Sequence, residues 1–196
     1  MRVLHADDRL VVIDKPAGLL SVPGRTEADC ASARVQMLYP DALVVHRLDQ
    51  ATSGLLLFAR GLDTQRDLSA DFAERRIDKL YVAVVAGHLE GEGFIDLPVG
   101  ADWPNRPRQQ VDLEHGKPSQ TRWRVLAHDC GRTRVALQPL TGRTHQLRVH
   151  LAAIGHAILG DTLYAQPDLA AASPRLLLHA SELRLANHRF ICAPEF

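Results

Sequence analysis

Short apolar runs, each closed by turn residues, dominate this sequence and most constrain its fold. They predict strands at residues 10–14, 55–59, 81–85, 94–97, 121–126, 133–137, 176–178, 183–185 and 190–192. Helices are expected at 29–38 and 64–75, capped by Asp29 and Asp63, and at 145–154. Because strands outnumber helices without alternating regularly with them, the pattern predicts an α+β fold: a largely antiparallel central sheet, flanked by helices and loops, with a cleft.

The length of 196 residues suits a single domain, 1–196. A chain of this size buries roughly 70% of its extended surface, so its core needs neither disulfides nor a metal. The three cysteines, at 30, 130 and 192, form no C-x-x-C pair, which favours free thiols in a reducing cytoplasm. No apolar stretch approaches the ~20 residues of a membrane span, and the N-terminus does not resemble a signal peptide.

The net charge is zero, with 23 basic and 23 acidic residues, which argues against a strongly basic nucleic-acid coat. Local basic clusters remain possible RNA contacts. One of them includes Arg106, Arg108 and Lys117, in a segment at 102–117 that has no periodicity and that we expect to be a long functional loop or a hairpin excursion.

Several kinds of site are disfavoured by the motifs that are missing. The ten histidines include no H-E-x-x-H, and His145 and His150 do not share a helix face, so we expect no catalytic metal. Neither G-x-G-x-x-G nor a P-loop is present, so we expect no nucleotide cofactor. G-x-S-x-G is also absent, which disfavours a serine hydrolase.

The stretch HRLDQATSGLLLFAR, residues 46–60, places one carboxylate, Asp49, between Arg47 and a Thr-Ser-Gly turn before an apolar run. Taken alone, Asp49 is more typical of a turn or a helix cap. Three other stretches set polar residues beside strand or helix ends in a similar way: KPAGL at 15–19, KLYVAVVAG at 79–87 and TGRTHQLRVH at 141–150.

Together with GKPSQT and RLLLHA, these stretches resemble the RluA-type family of pseudouridine synthases over residues 10–180. The pairing of HRLDQATSG with GRTHQLR about ninety residues later is specific, and DWPNRP at 102–107 resembles the RluA subgroup. The resemblance implies the pseudouridine synthase fold and an isomerisation that moves uracil from an N1 to a C5 glycosidic bond without a cofactor. Because the chain begins at its first strand, we expect none of the N-terminal RNA-binding domains of many relatives.

The resemblance assigns three residues to catalysis. Asp49 takes the position of the nucleophile, which attacks either C6 of the base or C1′ of the sugar. Arg143 takes that of the arginine that holds the carboxylate and lowers its pKa. Tyr81 takes that of a tyrosine that could stack on the flipped base, while its hydroxyl could help to remove the C5 proton.

Further residues are candidates for substrate binding. Arg47 resembles the arginine that fills the space left by the flipped uridine. Leu178 is a candidate pocket wall, although a core leucine fits the pattern nearly as well. The other candidates are His46, Thr52, Arg106, Arg108 and Lys117. The wider segment 102–124 is the candidate RNA-contacting excursion because it is rich in arginine and is bracketed by Trp103 and Trp123, although the pattern equally allows both tryptophans to lie in the core.

We therefore expect a monomeric, cytoplasmic RNA pseudouridine synthase acting on 23S rRNA, on the tRNA anticodon stem-loop, or on both, with no membrane partner. One alternative is a non-catalytic RNA-binding module on the same fold, which would have been free to lose Asp49, Tyr81 or Arg143. Another is a nucleoside or glycoside hydrolase, which typically needs two carboxylates where this chain has one in a motif.

Overall fold

The computed structural model describes all residues, 1–196, and contains twelve strands, four α-helices and one 3-10 turn. The strands are β1 (Arg2–Ala6), β2 (Leu10–Lys15), β3 (Ala42–Val44), β4 (Ser53–Arg60), β5 (Asp78–Ala86), β6 (Glu92–Asp96), β7 (Val99–Ala101), β8 (Gln109–Val111), β9 (Gln120–Asp129), β10 (Arg132–Pro139), β11 (Leu178–Leu185) and β12 (His188–Ile191). The helices are α1 (Ala31–Gln36), α2 (Leu62–Ala73), α3 (Gln146–Ala153) and α4 (Pro167–Ala171), and the 3-10 turn is Trp103–Asn105. None of the helices has the length and apolar character needed to cross a membrane.

The chain divides into two compact units, and the first combines residues 1–79 with residues 179–195. Its central strand is β4, which pairs antiparallel with β2 and β3 and parallel with β11. β1 pairs with β2, and β12 pairs with β11, both antiparallel. The apolar run 55–59 is buried on both faces of β4, which explains why it shows no alternation.

The core of the first unit lies between these strands and helix α2. Leu55, Leu57 and Ala59 of β4 share a cluster with Leu68 of α2, and Phe72 packs against it, as their i,i+4 spacing predicted. The prediction of Asp63 as the helix cap was wrong: α2 begins two residues earlier than predicted, with Gly61 as its N-cap, and Asp63 lies in the first turn.

The cap predicted for helix α1, Asp29, was also wrong, because the cap lies one residue later. Cys30 is the N-cap, and its sulfur accepts a hydrogen bond from the Ala33 amide. Asp29 instead forms a two-point ion pair with Arg34, which leaves its carboxylate unavailable as the cap.

The second unit comprises residues 80–178 and Phe196. Within it β10 pairs antiparallel with both β5 and β9, and β9 pairs antiparallel with β6. The segment at 102–117, expected to be a loop or a hairpin excursion, directly follows β7 and contains β8, and these two strands pair antiparallel as a hairpin. Helix α3 occupies 146–153 of the predicted 145–154, and its residues 146–151 are buried.

The two units together confirm the predicted α+β class with largely antiparallel pairing. At the C-terminus, β11 (Leu178–Leu185) includes the strand predicted at 183–185 but only the last residue of the strand predicted at 176–178. Its polar interior is tolerated because His179 hydrogen-bonds to the Ser53 hydroxyl at 2.8 Å and to the Cys192 carbonyl at 3.0 Å.

Candidate active site

Asp49 lies in a tight turn that leads into β4, and its side chain is half-buried. The turn is closed by a hydrogen bond of 3.1 Å from the Thr52 amide to the Asp49 carbonyl. On its other side, Leu48 is held by Ser21, whose hydroxyl donates to the Leu48 carbonyl at 2.7 Å and accepts from the Leu48 amide at 3.1 Å. The main chain before Asp49 is therefore fixed by a residue far away in sequence.

Lys15 anchors the main chain on the other side of Asp49. Its side chain is 0% exposed, and its Nζ donates to the carbonyls of Pro16, Leu19 and Gln50 at 2.9, 2.8 and 3.2 Å. The Gln50 carbonyl also accepts the Gly18 amide at 2.8 Å. Three acceptors require three N–H groups, so the side chain is an ammonium whose charge is used inside the protein. Lys15 stands in the KPAGL stretch, but the stretch alone does not indicate this role.

The glycine of the Thr-Ser-Gly sequence after Asp49 is required by close strand packing. Gly54 has φ +110°, and a Cβ placed on it would lie 2.3 Å from the Ala180 carbonyl oxygen of β11. Only glycine fits this position. Thr52 is 2% exposed, so its side chain packs inside the unit, and an RNA contact by Thr52 stays a prediction.

His46 and Arg47 are adjacent in sequence but have different environments. The His46 ring stacks on Phe72 at 4.5 Å between centroids, and its Nε2 accepts the Leu57 amide at 3.0 Å. Burial, followed by the nearby charge of Lys79, lowers the pKa of His46 to about 3, so the ring is neutral. This packing favours a structural role for His46, and its RNA contact stays a prediction. Arg47 is exposed and has no hydrogen-bond or ion-pair partner in the protein.

Tyr81 and Leu178 belong to the second unit. Tyr81 lies on β5 opposite Leu137 of β10, with a half-buried side chain, and Leu178 is 3% exposed at the start of β11. Both environments suit residues that line a pocket, and both also suit packing. Their assigned roles therefore stay predictions.

The loop that carries Arg143 is held by a single buried amide side chain, Gln146. Its Oε1 accepts from the Thr141 hydroxyl at 2.7 Å and from the Arg143 amide at 3.0 Å. Its Nε2 donates to the Gln120 carbonyl at 2.9 Å and to the Thr121 hydroxyl at 3.0 Å. The backbone at Arg143 is thus fixed against β9.

The Arg143 side chain is exposed, and its Nε donates to the Pro118 carbonyl at 3.3 Å. This places its guanidinium beside the end of the excursion at 102–117. The pairing of Arg143 with the Asp49 carboxylate stays a prediction.

Tyr164 links this loop to the excursion, and no sequence pattern had pointed to it. Its hydroxyl accepts the Gln109 amide at 2.8 Å and lies 2.7 Å from Nδ1 of His145, which is itself held at φ 55°. The tautomer of His145 decides which of these two atoms donates. The turn that carries Tyr164 is fixed by Asp161, whose Oδ1 accepts the Tyr164 amide.

Asp161 also forms a buried ion pair with Arg148 of helix α3. The two N–H···O bonds measure 2.8 and 2.7 Å, and the side chains are 4% and 1% exposed. Two-point pairing satisfies both planar groups and fixes their relative orientation. Arg148 is therefore buried and held in place by Asp161, whereas Arg143 in the same motif is exposed.

The excursion has a hydrogen-bonded tip at residues 102–108 that exposes two of the predicted RNA-contacting residues, Arg106 and Arg108. The Arg106 guanidinium lies over the Trp103 ring at 3.5 Å from its centroid. The Lys117 side chain is exposed, and its amide and carbonyl both hydrogen-bond to Val99. Trp123, by contrast, is half-buried and covers Gly93, so the two bracketing tryptophans have different roles.

Two groups of side chains bring possible metal-ligand atoms within 4.8 Å of one another: His5, Asp7 and His188, and Asp14, His179 and Cys192. Protein groups already use several of these atoms. Both nitrogens of His179 are hydrogen-bonded, and Asp7 accepts from His5 and from two backbone amides. Hydrogen bonds within the protein thus already engage His5 and Asp7 in the first group and His179 in the second.

Comparisons with known proteins agree with this geometry. The family model for RNA pseudouridylate synthase matches residues 9–153. The chain is 51% identical over 189 residues to "Dual-specificity RNA pseudouridine synthase RluA" of Escherichia coli strain K12, covering 94% of this chain and 86% of the relative. It is 50% identical over 194 residues to the protein of the same name from Yersinia pestis, covering 97% and 94%.

A solved structure, "Human RNA Pseudouridylate Synthase Domain Containing 1", has a TM-score of 0.84 at 29% identity and covers 99% of this chain and 83% of its own. The resemblance inferred from the sequence motifs is thereby confirmed. The chain belongs to the RNA pseudouridylate synthase family of isomerases, which convert uridine to pseudouridine in RNA.

Proposed function

We propose that this enzyme modifies uridines in structured RNA, in 23S rRNA, in the tRNA anticodon stem-loop, or in both, with Asp49 as its nucleophile. The observation that carries the proposal is the anchoring of the Asp49 turn by Lys15 and Ser21. A loop that merely connected two strands would need no such support from distant residues. The names of the relatives, which describe dual specificity, support the choice of RNA targets.

The reaction needs little beyond a positioned carboxylate. The N1–C1′ bond breaks, the base turns, and a C5–C1′ bond forms; the C5 proton leaves to solvent and N1 gains a proton. The Asp49 carboxylate can attack C6 of the base or C1′ of the sugar, and both routes give the same product. Anchored loops reduce the entropy lost on reaching the reactive geometry.

Tyr81 and Arg143 are proposed to act on the same uridine. The planar guanidinium of Arg143 would orient a carboxylate through two hydrogen bonds, and the Tyr81 ring would stack on the flipped base while its hydroxyl helps to remove the C5 proton. Leu178 would form an apolar wall. The exposed Arg47, which has no protein partner, is suited to fill the space left by the base.

Arg106, Arg108 and Lys117 are proposed to contact the RNA outside the reacting nucleotide. All three side chains are exposed on one excursion of the second unit, where phosphate contacts would fix the register of the strand. Because the net charge is zero, we expect few such contacts and a modest dependence of affinity on salt. We further propose that the enzyme acts as a monomer in the cytoplasm.

A tritium-release assay tests the function directly. An anticodon stem-loop and a 23S fragment are transcribed with uridine labelled at C5, and each is incubated with wild type, Asp49→Asn and Asp63→Asn. Asp63 is a matched control because its side chain is 96% exposed in helix α2. We expect release by wild type and Asp63→Asn and none by Asp49→Asn, with RNA binding kept.

Retained release by purified Asp49→Asn would remove Asp49 from the nucleophile role. Binding of both RNAs without release by wild type would favour the alternative, a non-catalytic RNA-binding module. Free uracil among the products would instead indicate a hydrolase.

A further inference from the structure

The tip of the excursion, residues 102–108, exposes one of the chain's two tryptophans. Trp103 is 67% exposed, although tryptophan is usually well buried in a folded protein. The chain's other tryptophan, Trp123, is half-buried on β9. The position of Trp103 is therefore not explained by packing of the second unit.

The tip holds this side chain on a rigid support. Within it the Asp102 amide donates to the Arg108 carbonyl at 3.1 Å, and the Arg108 amide donates to the Asn105 carbonyl at 3.0 Å. The Asn105 side chain also donates to the Asp102 carboxylate at 3.0 Å. The base of the tip is fixed by the hydrogen bond from the Gln109 amide to Tyr164. Such a tip loses little conformational entropy when it binds a ligand.

Arg106 defines which kind of ligand fits. Its guanidinium covers one face of the Trp103 indole at 3.5 Å, and the protein offers its N–H groups no hydrogen-bond acceptor or carboxylate. A flat ring exposed beside an uncompensated guanidinium matches a nucleotide, which has a flat base and an anionic phosphate. Arg108, exposed on the same tip, adds a second positive charge.

We propose that Trp103 is a stacking platform for one unpaired base of the RNA substrate, a base other than the uridine that reacts, with Arg106 supporting the indole from behind. This inference rests on the proposed function, because it takes RNA as the substrate. Stacking recognises the face of a base and not its edge, so the platform contributes affinity with little sequence preference.

The first test measures affinity for an anticodon stem-loop and a 23S fragment by fluorescence anisotropy of end-labelled RNA. We expect Trp103→Ala to weaken binding by about 5- to 100-fold, as loss of one stacked base does elsewhere, and Trp103→Phe to recover most of it. Leu113→Ala is the matched control, since Leu113 is 77% exposed on the same excursion and has no aromatic ring. We expect that variant to bind as wild type does.

The second test identifies the base. Loop nucleotides of the RNA are replaced one at a time by an abasic residue, and each RNA is measured with wild type and Trp103→Ala. At the stacked position, the abasic change should weaken RNA binding by wild type but leave the affinity of Trp103→Ala unchanged, because both changes remove the same contact.

The inference would be overturned if wild type and Trp103→Ala bound the RNA equally well. It would also be overturned if, at every position, the abasic change weakened binding by Trp103→Ala as much as it weakened binding by wild type. The tip would then be a candidate surface for a protein partner. Tritium release is measured separately with wild-type enzyme. The stacking platform can therefore be refuted while the proposed activity stands. Conversely, the binding data can support the platform even if no tritium is released.

Discussion

Replacing Lys15 with methionine should loosen the turn that carries Asp49. Methionine has a similar length and fills irregular buried space well, so the change keeps most of the packing and removes only the donors. Three hydrogen bonds from a buried ammonium are lost, to the carbonyls of Pro16, Leu19 and Gln50. The consequence is both a less stable first unit and a less ordered catalytic loop.

The size of the stability loss depends on which hydrogen bonds each of the three carbonyls retains in the variant. Hydrogen bonds from a charged donor contribute about 1.5–3 kcal/mol each, so the three bonds set an upper limit of about 9 kcal/mol. The variant no longer bears the cost of burying an ammonium, several kcal/mol. The Gln50 carbonyl keeps its hydrogen bond from the Gly18 amide, whereas the buried Leu19 carbonyl loses the donor that Lys15 supplied. We expect the free energy of unfolding to fall by about 2–4 kcal/mol.

Urea unfolding followed by circular dichroism measures this change, and tritium release measures kcat/KM on the same preparations. Lys79→Met is the matched control. Lys79 is half-buried in the same unit, has no hydrogen-bond acceptor, and has a pKa lowered by burial and then by Arg75. We expect Lys79→Met to be as stable as wild type and as active. If Lys15→Met unfolded at the same urea concentration as Lys79→Met, the anchoring role of Lys15 would be refuted.

Three further predictions concern single contacts. Folding lowers the pKa of His46 from its ordinary value near 6.5 to about 3, so the unfolded chain takes up the proton first and stability falls as pH drops below about 6.5. The fall is at most about 1.4 kcal/mol per pH unit, and urea unfolding between pH 7 and 5 should show a smaller slope for His46→Gln than for wild type. Tyr164→Phe should cost about 0.5–1.5 kcal/mol and speed hydrogen exchange of the Gln109 amide, measured by mass spectrometry; unchanged exchange would mean that the hydroxyl does not hold that strand. Gly54→Ala should prevent folding or lower the free energy of unfolding by more than about 4 kcal/mol, because the added Cβ would overlap the backbone of β11. Gly61 has φ +77° and open space around it, so Gly61→Ala should lower the free energy of unfolding by only about 1 kcal/mol. Similar urea midpoints for the two variants would contradict this prediction.

Local patterns predicted the fold where one segment decides its own structure. The apolar run at 55–59 identified β4, and the spacing of Leu68 and Phe72 identified the buried face of α2. The short strands β1 and β3 were missed, because each has at most five residues and is defined by its pairing with a neighbouring strand. The division of the predicted C-terminal strand failed for a related reason: the polar residues inside β11 are paired only in three dimensions.

The motifs located the candidate site, but not the residues that support it. Asp49 and Arg143 stand in recognisable stretches, whereas Lys15 and Gln146 act through carbonyls and hydroxyls that no spacing reveals. Tyr164 had no motif at all, since its two partners are Gln109 and His145, 55 and 19 residues away along the chain. Long-range hydrogen bonds of this kind appear only once the backbone is placed.

The loop that carries Asp49 and the loop that carries Arg143 are held in place in the same way. In each, a buried polar side chain, Lys15 or Gln146, fixes the main chain through several hydrogen bonds, while an arginine of the same loop, Arg47 or Arg143, remains exposed. Fixed backbone and mobile side chains suit an enzyme whose substrate must change shape. The anchored main chain lowers the entropy cost of positioning the reactive groups, and the exposed guanidiniums can still adjust as a base leaves its stack. Loss of an anchor should therefore lower kcat, whereas loss of Arg47 should mainly affect the step in which the base is flipped.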